Sequence, residues 1–222
     1  HFNISDAVTL RGICEAARET GSPILIGTSE GERNFIGLGE AVFLIKAFRE
    51  EYGIPIFLNA DHSYGVEAAK AALDAGYDSV HIDLSRLSFE ENINGTIEVV
   101  EYANSKISAR GGSLPDGRAG AINVEGELGY LRGDSKIQKE KIQIKPEDYT
   151  NSNKALEFVE KTGVDRLAVA VGNIHGISLE EPDLDIERIK AIRKAIGSEA
   201  ALVLHGGSGI PDDQIKEAIS CG

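Results

Sequence analysis

The sequence lacks three features that would place it in common classes of protein: long apolar runs, basic clusters and paired cysteines. No apolar run in its 222 residues approaches the roughly 20 residues that a membrane-spanning helix needs, and no signal peptide is visible. The net charge is −13 and no cluster of lysine and arginine is present, which argues against a nucleic-acid binder. We therefore expect neither a membrane nor a nucleic acid among its partners.

The scarcity of sulfur is also informative. Cys14 and Cys221 are far apart and form no motif, so we expect two free thiols and a cytoplasmic location. The sequence begins at His1 and contains no methionine, so residue 1 is not expected to be the start of the gene. Removal of a preceding targeting segment stays open as an alternative.

What the sequence does contain is an alternation of apolar runs and helical patterns. The runs are rich in valine and isoleucine and predict strands at 1–4, 23–28, 54–60, 79–83, 122–128, 167–171 and 202–205. Near-continuous apolar strands favour a parallel sheet that is buried on both faces. Apolar residues at helical spacing predict helices over 6–21, 65–76, 89–105, 151–163, 185–197 and 211–222.

This order predicts an α/β fold, a TIM (β/α)₈ barrel whose eighth strand and C-terminal part are missing from the chain. We expect residues 1–222 to form a single, truncated barrel domain. A doubly wound open sheet is the alternative, but its G-x-G-x-x-G fingerprint after the first strand is absent. Two segments interrupt the alternation, at 106–121 and 130–149, and each is expected to be a mobile insertion or a lid.

Three of the five histidines share one kind of position. His62 follows the third strand, His175 follows the sixth and His205 ends the seventh. The carboxyl ends of barrel strands lie on one rim, so these side chains are expected to converge. Three neutral imidazoles that leave an open coordination position form a catalytic zinc site, whereas any one of them alone is more often a structural residue.

Acidic residues lie at the same strand ends. Asp61 adjoins His62 and is the natural proton donor and acceptor. Asp83 and Glu127 are expected either to hold a second cation or to orient histidine ligands. The alternative for each carboxylate is a solvated strand end.

Two further residues share strand faces with these acids. Glu125 lies on the same face as Glu127 and is expected to have a supporting role in the site. His81 shares a strand face with Asp83 and is expected to be packed or hydrogen-bonded.

The glycine-rich "HGGSG" at 205–209 follows the seventh strand. Glycines let backbone N–H groups approach an anion, and barrel enzymes often bind phosphate at this position. Ser29, in "SEG" after the second strand, offers another polar contact. A metal, one carboxylic acid and a phosphate cradle suit aldol cleavage of a phosphorylated ketose, in which the metal stabilises an enediolate. A metallohydrolase would use the same metal and acid.

Several motifs taken together resemble the class II, metal-dependent fructose-bisphosphate aldolase family, which includes the tagatose-bisphosphate aldolases. The resemblance runs nearly end to end, and its order is more specific than any single piece. It is carried by these motifs: "HFNI", "SPILIGTSEG", "DH" at 61–62, "AGYDSVHIDLSRLSFEENI", "VEGELG", "VDRLAVAVGNIHG" and "LVLHGGSGIPDDQIKEAI".

The resemblance implies a TIM barrel that forms a homo-oligomer, a dimer or a tetramer. It implies Zn²⁺ on His62, His175 and His205, with Asp61 as the acid/base for the C4 hydroxyl. Acidic family residues that contact a second or alternate metal position match Asp83 and Glu127. The dihydroxyacetone-phosphate site, often assisted by a monovalent cation such as Na⁺ or K⁺, matches Gly176, Gly206, Gly207 and Ser208. The implied reaction is reversible cleavage of a ketose 1,6-bisphosphate, with fructose as the default sugar, to dihydroxyacetone phosphate and glyceraldehyde 3-phosphate.

The sequence departs from the family pattern at three places. Ser63 stands where a glycine usually follows the Asp-His pair, and Arg86 replaces a histidine after "IDLS". "YLRGDSKIQ" stands where the family usually has a glycine-rich stretch, which leaves the lid and the sugar open. The strand that carries an asparagine-rich phosphate contact in the family lies beyond Gly222. A tagatose-bisphosphate or other ketose-phosphate aldolase is the nearest alternative function, and a barrel metallohydrolase or a non-catalytic barrel is more distant.

Overall fold

The structure is a computed structural model, and the residues that it describes are 1–109, 122–137, 142–177 and 183–222. By its internal contacts the chain divides into two compact units. Unit 1 comprises His1–Asp83 and Glu98–Val124, and unit 2 comprises Leu84–Ile97 and Glu125–Gly222. The expectation of a single domain over the whole chain stays a prediction.

Strands and helices alternate along the chain. The strands are β1 Phe2–Asn3, β2 Ile24–Thr28, β3 Ile56–Ser63, β4 Ser79–Ile82, β5 Asn123–Leu128, β6 Gly133–Ile137, β7 Arg166–Val169, β8 His175–Ile177 and β9 Ala201–Val203. The helices are α1 Ala7–Thr20, α2 Glu30–Ile36, α3 Leu38–Tyr52, α4 Val66–Ala75, α5 Phe89–Ala109, α6 Ser152–Thr162, α7 Ile186–Ile196 and α8 Asp212–Cys221, and a 3₁₀ turn covers Pro146–Asp148.

The strands of unit 1 pair in parallel in the order β1-β2-β3-β4. Phe2 lies opposite Ile26, and Ile24 lies opposite Ile56. All four residues of β4 and all but one of the eight residues of β3 are buried. This burial on both faces is what near-continuous apolar strands predict.

Helix ends in unit 1 are set by local chemistry. α1 begins after Asp6, whose carboxylate accepts a hydrogen bond from the backbone N–H of Thr9 at 2.8 Å. It ends at Gly21, which has a φ of 64°, a left-handed conformation that glycine adopts without a steric cost. Leu10, Cys14 and Ala17 then face the core at helical spacing.

In unit 2, β5, β7 and β9 pair in parallel. Glu127 of β5 lies opposite Ala168 of β7, and Leu167 lies opposite Leu202 of β9. A separate two-stranded parallel sheet joins β6 and β8, with Gly133 opposite His175. His175 therefore opens a short strand of its own.

An apolar cavity of about 560 Å³ lies in unit 2 beside β9. Leu202, Val203 and Leu204 line it from the strand side, and Ile189 of α7 and Ile215 of α8 complete the wall.

The predicted strands are all present, and they differ from the prediction mainly at their ends. β3 continues through Ser63, so Asp61 and His62 belong to the strand instead of following it. β9 ends at Val203, two residues before His205. The helical spacing and apolar runs of the sequence did not predict α2 and α3, nor β6 and β8.

The two predicted insertions fall partly within described elements. Residues 106–109 form the end of α5, while 110–121 lie outside the described residues. Within 130–149, β6 and the 3₁₀ turn are described and 138–141 lie outside the described residues. Among the described helices, none combines the length and the low charge that crossing a bilayer requires.

Candidate active site

Asp61 and His62 lie at the carboxyl end of β3 and are almost completely buried, at 6% and 7% exposure. The Asp61 carboxylate accepts a hydrogen bond from the side-chain amide of Asn3 at 2.8 Å. His62 Nδ1 lies 3.0 Å from Asp83 Oδ2, just past the end of β4. The parallel order β1-β2-β3-β4 thus brings two strand-end polar residues of unit 1, Asn3 and Asp83, to the pair.

The backbone at His62 is unusual. Its φ of 46° makes it the one non-glycine residue with a positive φ in the described part of the chain. The register with β4 also shifts here, since Ala60 lies opposite Val80 and Ser63 lies opposite Ile82. One extra residue in β3 is a bulge, a device that re-aims side chains at the edges of active sites. A histidine in this conformation is strained, and such strain clusters at functional sites.

His81 is a third member of this group that was expected only to be packed or hydrogen-bonded. It is fully buried, and its ring centroid lies 4.3 Å from that of His62. Its Nδ1 lies 3.8 Å from Asp61 Oδ1. One donor atom from each of Asp61, His62 and His81 lies within 4.8 Å of the others.

In unit 2, His205 is bound to a buried carboxylate. His205 Nε2 lies 2.7 Å from Glu125 Oε1, and the other oxygen of Glu125 lies 3.1 Å from Arg166 Nε. Glu125 is 2% exposed. A carboxylate on one ring nitrogen fixes the tautomer and directs the other nitrogen, here Nδ1, toward a ligand or metal.

His175 and His205 lie near each other. Their ring centroids are 6.2 Å apart, edge to face. Asn173 connects the segment that carries His175 with the segment that carries His205, since its side-chain amide donates to the carbonyl of His205 at 2.9 Å. Gly206 has a φ of 65°, and a Cβ there would lie 2.1 Å from the carbonyl oxygen of Ile174. A side chain at this glycine would therefore force the two segments apart.

The structure also locates the remaining predicted site residues. Glu127 is buried in β5 at 1% exposure, and its carbonyl accepts a hydrogen bond from the Asn92 side chain at 2.9 Å. Gly207 and Ser208 are exposed in the loop before α8, and Gly176 lies in β8 beside His175. Ser29 caps α2.

The Ser29 cap is a capping box with Glu32. Glu32 N–H donates to Ser29 Oγ at 3.3 Å, and Ser29 N–H donates to the Glu32 carboxylate at 2.7 Å. The side-chain oxygen of Ser29 therefore already supports the first turn of α2.

Both units contain residues of the types that hold a divalent metal. In unit 1, Asp61, His62 and His81 have donor atoms close enough to share one ion, given metal–nitrogen bonds of about 2 Å. In unit 2, His205 has its carboxylate partner and a neighbouring histidine. Imidazoles backed by buried carboxylates fit zinc and several other divalent ions.

Three supporting contacts were not expected from the sequence. Asn3, Asn173 and Arg166 hold the predicted site residues through side-chain bonds across elements. Glu125, for which a supporting role was expected without a named partner, contacts His205. Nothing in the neighbouring sequence marks Asn173 or Arg166 as such partners. Asn3 had one usable signal, because it lies at the end of a strand.

Comparison with known proteins places this geometry in an enzyme class. The family model for class-II fructose-bisphosphate aldolase matches residues 1–222. The fructose-bisphosphate aldolase of Geobacillus stearothermophilus is 38% identical over 224 residues, which cover the whole chain and 71% of that relative. That of Staphylococcus aureus is 35% identical, with the same coverage. The crystal structure of the YdjI aldolase from Escherichia coli matches with a TM-score of 0.79 and 35% identity, over the whole chain and 72% of that protein.

Fold and site together define a metal-dependent carbon–carbon lyase of the α/β barrel type, with seven parallel strands described. The chain belongs to the class II fructose-bisphosphate aldolase family. The predicted fold class, family and enzyme class are thereby confirmed. Members of this family depend on a metal ion and take a sugar phosphate as substrate.

Proposed function

We propose that the protein is a zinc-dependent aldolase that reversibly cleaves fructose 1,6-bisphosphate to dihydroxyacetone phosphate and glyceraldehyde 3-phosphate. The observation that carries the proposal is the buried carboxylate of Asp61 beside His62, held by Asn3. A buried acid next to a histidine with its own carboxylate partner is the combination that metal-assisted proton transfer needs.

His62, His175 and His205 are the proposed zinc ligands. The contact between His62 Nδ1 and Asp83 supports Nε2 as the ligating atom of that ring, because a carboxylate on Nδ1 fixes the tautomer. Asp83 and Glu127 are the proposed contacts of a second or alternate divalent position. A monovalent cation, Na⁺ or K⁺, is proposed beside the phosphate.

In cleavage, Asp61 accepts the proton of the C4 hydroxyl, and the C4 oxygen becomes the carbonyl of glyceraldehyde 3-phosphate as the C3–C4 bond breaks. The electron pair of the broken bond moves onto C3 and the C2 carbonyl and forms an enediolate. When bound, the metal supplies the positive charge that makes the C2 carbonyl a sufficient electron sink. The hydrogen bond from Asn3 to Asp61 Oδ2 fixes the orientation of the carboxylate. Burial of Asp61 excludes water that would compete for the proton. Protonation at C3 then gives dihydroxyacetone phosphate.

The proposed phosphate contacts are the backbone N–H groups of Gly176, Gly206 and Gly207, with the hydroxyl of Ser208. The exposure of Gly207 and Ser208 supports this assignment, because a ligand has access to both. Ser29 is proposed as a further substrate contact. Since its oxygen accepts the capping hydrogen bond, it would offer its hydroxyl proton.

The second candidate substrate is another ketose phosphate, such as tagatose 1,6-bisphosphate, and the observation behind it is the position of Arg86. This residue stands where the family usually has a histidine, and its guanidinium lies 5.6 Å from the Tyr130 ring centroid. Arg132 lies 5.4 Å from the same centroid, so Arg86 and Arg132, from two places where the sequence departs from the family, both lie against the Tyr130 ring. The whole enzyme is proposed to be a cytoplasmic homo-oligomer, a dimer or a tetramer.

The test is a coupled assay of the whole gene product on fructose and tagatose 1,6-bisphosphates. We expect cleavage of fructose 1,6-bisphosphate, loss of that cleavage after dialysis against a chelator, and its recovery on addition of Zn²⁺. Enzyme dialysed without chelator is the control. Cleavage that survives complete metal removal would contradict the mechanism, and cleavage of neither sugar would contradict the substrate.

A further inference from the structure

A buried arginine binds the backbone around the catalytic pair. Arg33 lies in α2 and is 5% exposed. Its Nη1 donates to the carbonyl oxygens of Thr28 and Asp61, the latter at 3.0 Å. Its Nη2 donates to the carbonyl of His62 at 3.4 Å and to Ser63 Oγ at 3.2 Å. Three of its four acceptors thus belong to the bulged end of β3.

The Arg33 acceptors lie where the regular pairing of β3 with β4 is interrupted. Buried carbonyl groups need hydrogen-bond donors, and at a bulge a side chain can supply them. A guanidinium supplies several N–H groups in a rigid plane, and its charge strengthens each bond. Burial lowers the pKa of Arg33 from its ordinary value, but an arginine stays charged near neutral pH.

Ser63 gives this arginine a side-chain anchor. The residue is fully buried, and the family usually has glycine at this place. A glycine would offer the Arg33 guanidinium no hydroxyl. The carbonyl of Ser63 accepts from the backbone N–H of Asp83 at 3.0 Å, which ties the same residue to the partner of His62.

We propose that Arg33 is a positioning residue that, with Ser63 as its anchor, holds the left-handed turn at His62 and so aims Asp61 and His62. The inference rests on the proposed function, because Arg33 acts through the acid/base and a metal ligand. It touches neither the substrate nor the metal and is not a catalytic residue.

The test compares the removal of two guanidinium groups that hydrogen-bond to the same strand, β3: Arg33, which is buried, and Arg49, which is half-buried. Arg33→Met removes the contacts at the carboxyl end of β3. Arg49→Met removes a guanidinium that bonds the carbonyl of Ile56 at 2.7 Å and the Asp78 carboxylate, at the opposite end. Both variants should melt at a lower temperature. Only Arg33→Met should lower kcat, by about 100-fold as expected for a misplaced catalytic group, with KM changed by less than about threefold.

A milder pair covers the case in which Arg33→Met does not fold. Arg33→Lys and Ser63→Ala should each lower kcat by about fivefold, the effect of one or two lost hydrogen bonds, with melting close to wild type. Wild-type kcat in both, or equal loss of kcat in Arg33→Met and Arg49→Met, would overturn the proposal.

Hydrogen exchange separates this inference from the proposed function. The Asp83 amide should exchange faster in Arg33→Met than in Arg49→Met, because its acceptor on Ser63 is released. This readout needs no substrate. A wild type that cleaves no ketose bisphosphate would therefore end the proposed function alone, whereas equal exchange in the two variants would end the positioning role.

Discussion

Asp61 is held by a contact that does not require its charge. The Asn3 amide would donate equally well to the side-chain oxygen of an asparagine at position 61. Asp61→Asn should therefore keep the fold and the bound metal while kcat falls by about 100-fold to 10,000-fold, the usual contribution of a general acid or base. Metal content and kcat, measured on the same sample, check this. Asp74→Asn, at a half-exposed carboxylate in α4, is the control, and turnover within about threefold of wild type in Asp61→Asn would reject the acid/base role.

Glu125 connects His205, one of the proposed metal ligands, with Arg166. Glu125→Gln removes the negative charge while keeping the size of the side chain. Loss of a carboxylate behind a ligating histidine typically costs about 10-fold to 100-fold in metal affinity. Competition with a chromophoric chelator measures the affinity, with Glu157→Gln on the surface of α6 as the control. Unchanged affinity would show that His205 is not a ligand or does not depend on this partner.

At the scale of elements, the 3₁₀ turn before α6 is fixed by one ion pair. Both oxygens of Asp148 accept from Arg132, at 2.5 and 3.0 Å, and the backbone N–H of Lys145 donates to Asp148 at 2.7 Å. Burial by itself would raise the pKa of Asp148, but these hydrogen bonds outweigh burial and leave the pKa below its ordinary value. The ion pair therefore links Arg132, the residue just before β6, to the 3₁₀ turn that precedes α6.

The sign of this pKa shift sets a pH dependence. A carboxylate with a lowered folded-state pKa stabilises the protein above its unfolded pKa of about 4 and loses that contribution as the pH falls through the folded value. Asp148→Asn should therefore lower the free energy of unfolding by about 1–3 kcal/mol at pH 7. The difference from wild type should shrink below about pH 4. Urea unfolding at both pH values measures it.

The control for this variant is Glu147→Gln, the neighbouring side chain, which is 70% exposed. Its stability should match wild type at both pH values, because exposed carboxylates contribute little. A difference between Asp148→Asn and wild type that stays constant with pH would contradict the assigned pKa.

Elements with a strong local pattern were predictable from the sequence, and the others depend on distant partners. β2, β3 and β4 each fall in a short apolar run rich in isoleucine or valine, which favours a strand, and Gly21 marks the end of α1. β6 and β8 have only five and three residues, and they exist because each pairs with the other. Residues 30–52, which contain α2 and α3, include three glycines, and these weaken the helical pattern of the sequence. The start of α2 is nevertheless fixed by its capping box.

The candidate site shows the same division. Histidines and acids at strand ends are visible in the sequence because strand direction alone places them. The contacts of Arg33, Asn3 and Asn173 depend on a bulge and on close approach of segments, which no spacing rule encodes. Ser63 is the clearest case, since it departs from the family pattern and has a partner only in three dimensions.

At the scale of the whole molecule, the cavity beside β9 affects how the protein must be handled. Apolar side chains line this cavity, and one of them, Ile219 of α8, is 74% exposed. Exposed apolar surface of this kind favours self-association. The net charge of −13 opposes this by mutual repulsion, which salt screens over distances of about 8 Å in physiological buffer. Dilute, low-salt storage is therefore the condition that preserves monodisperse material.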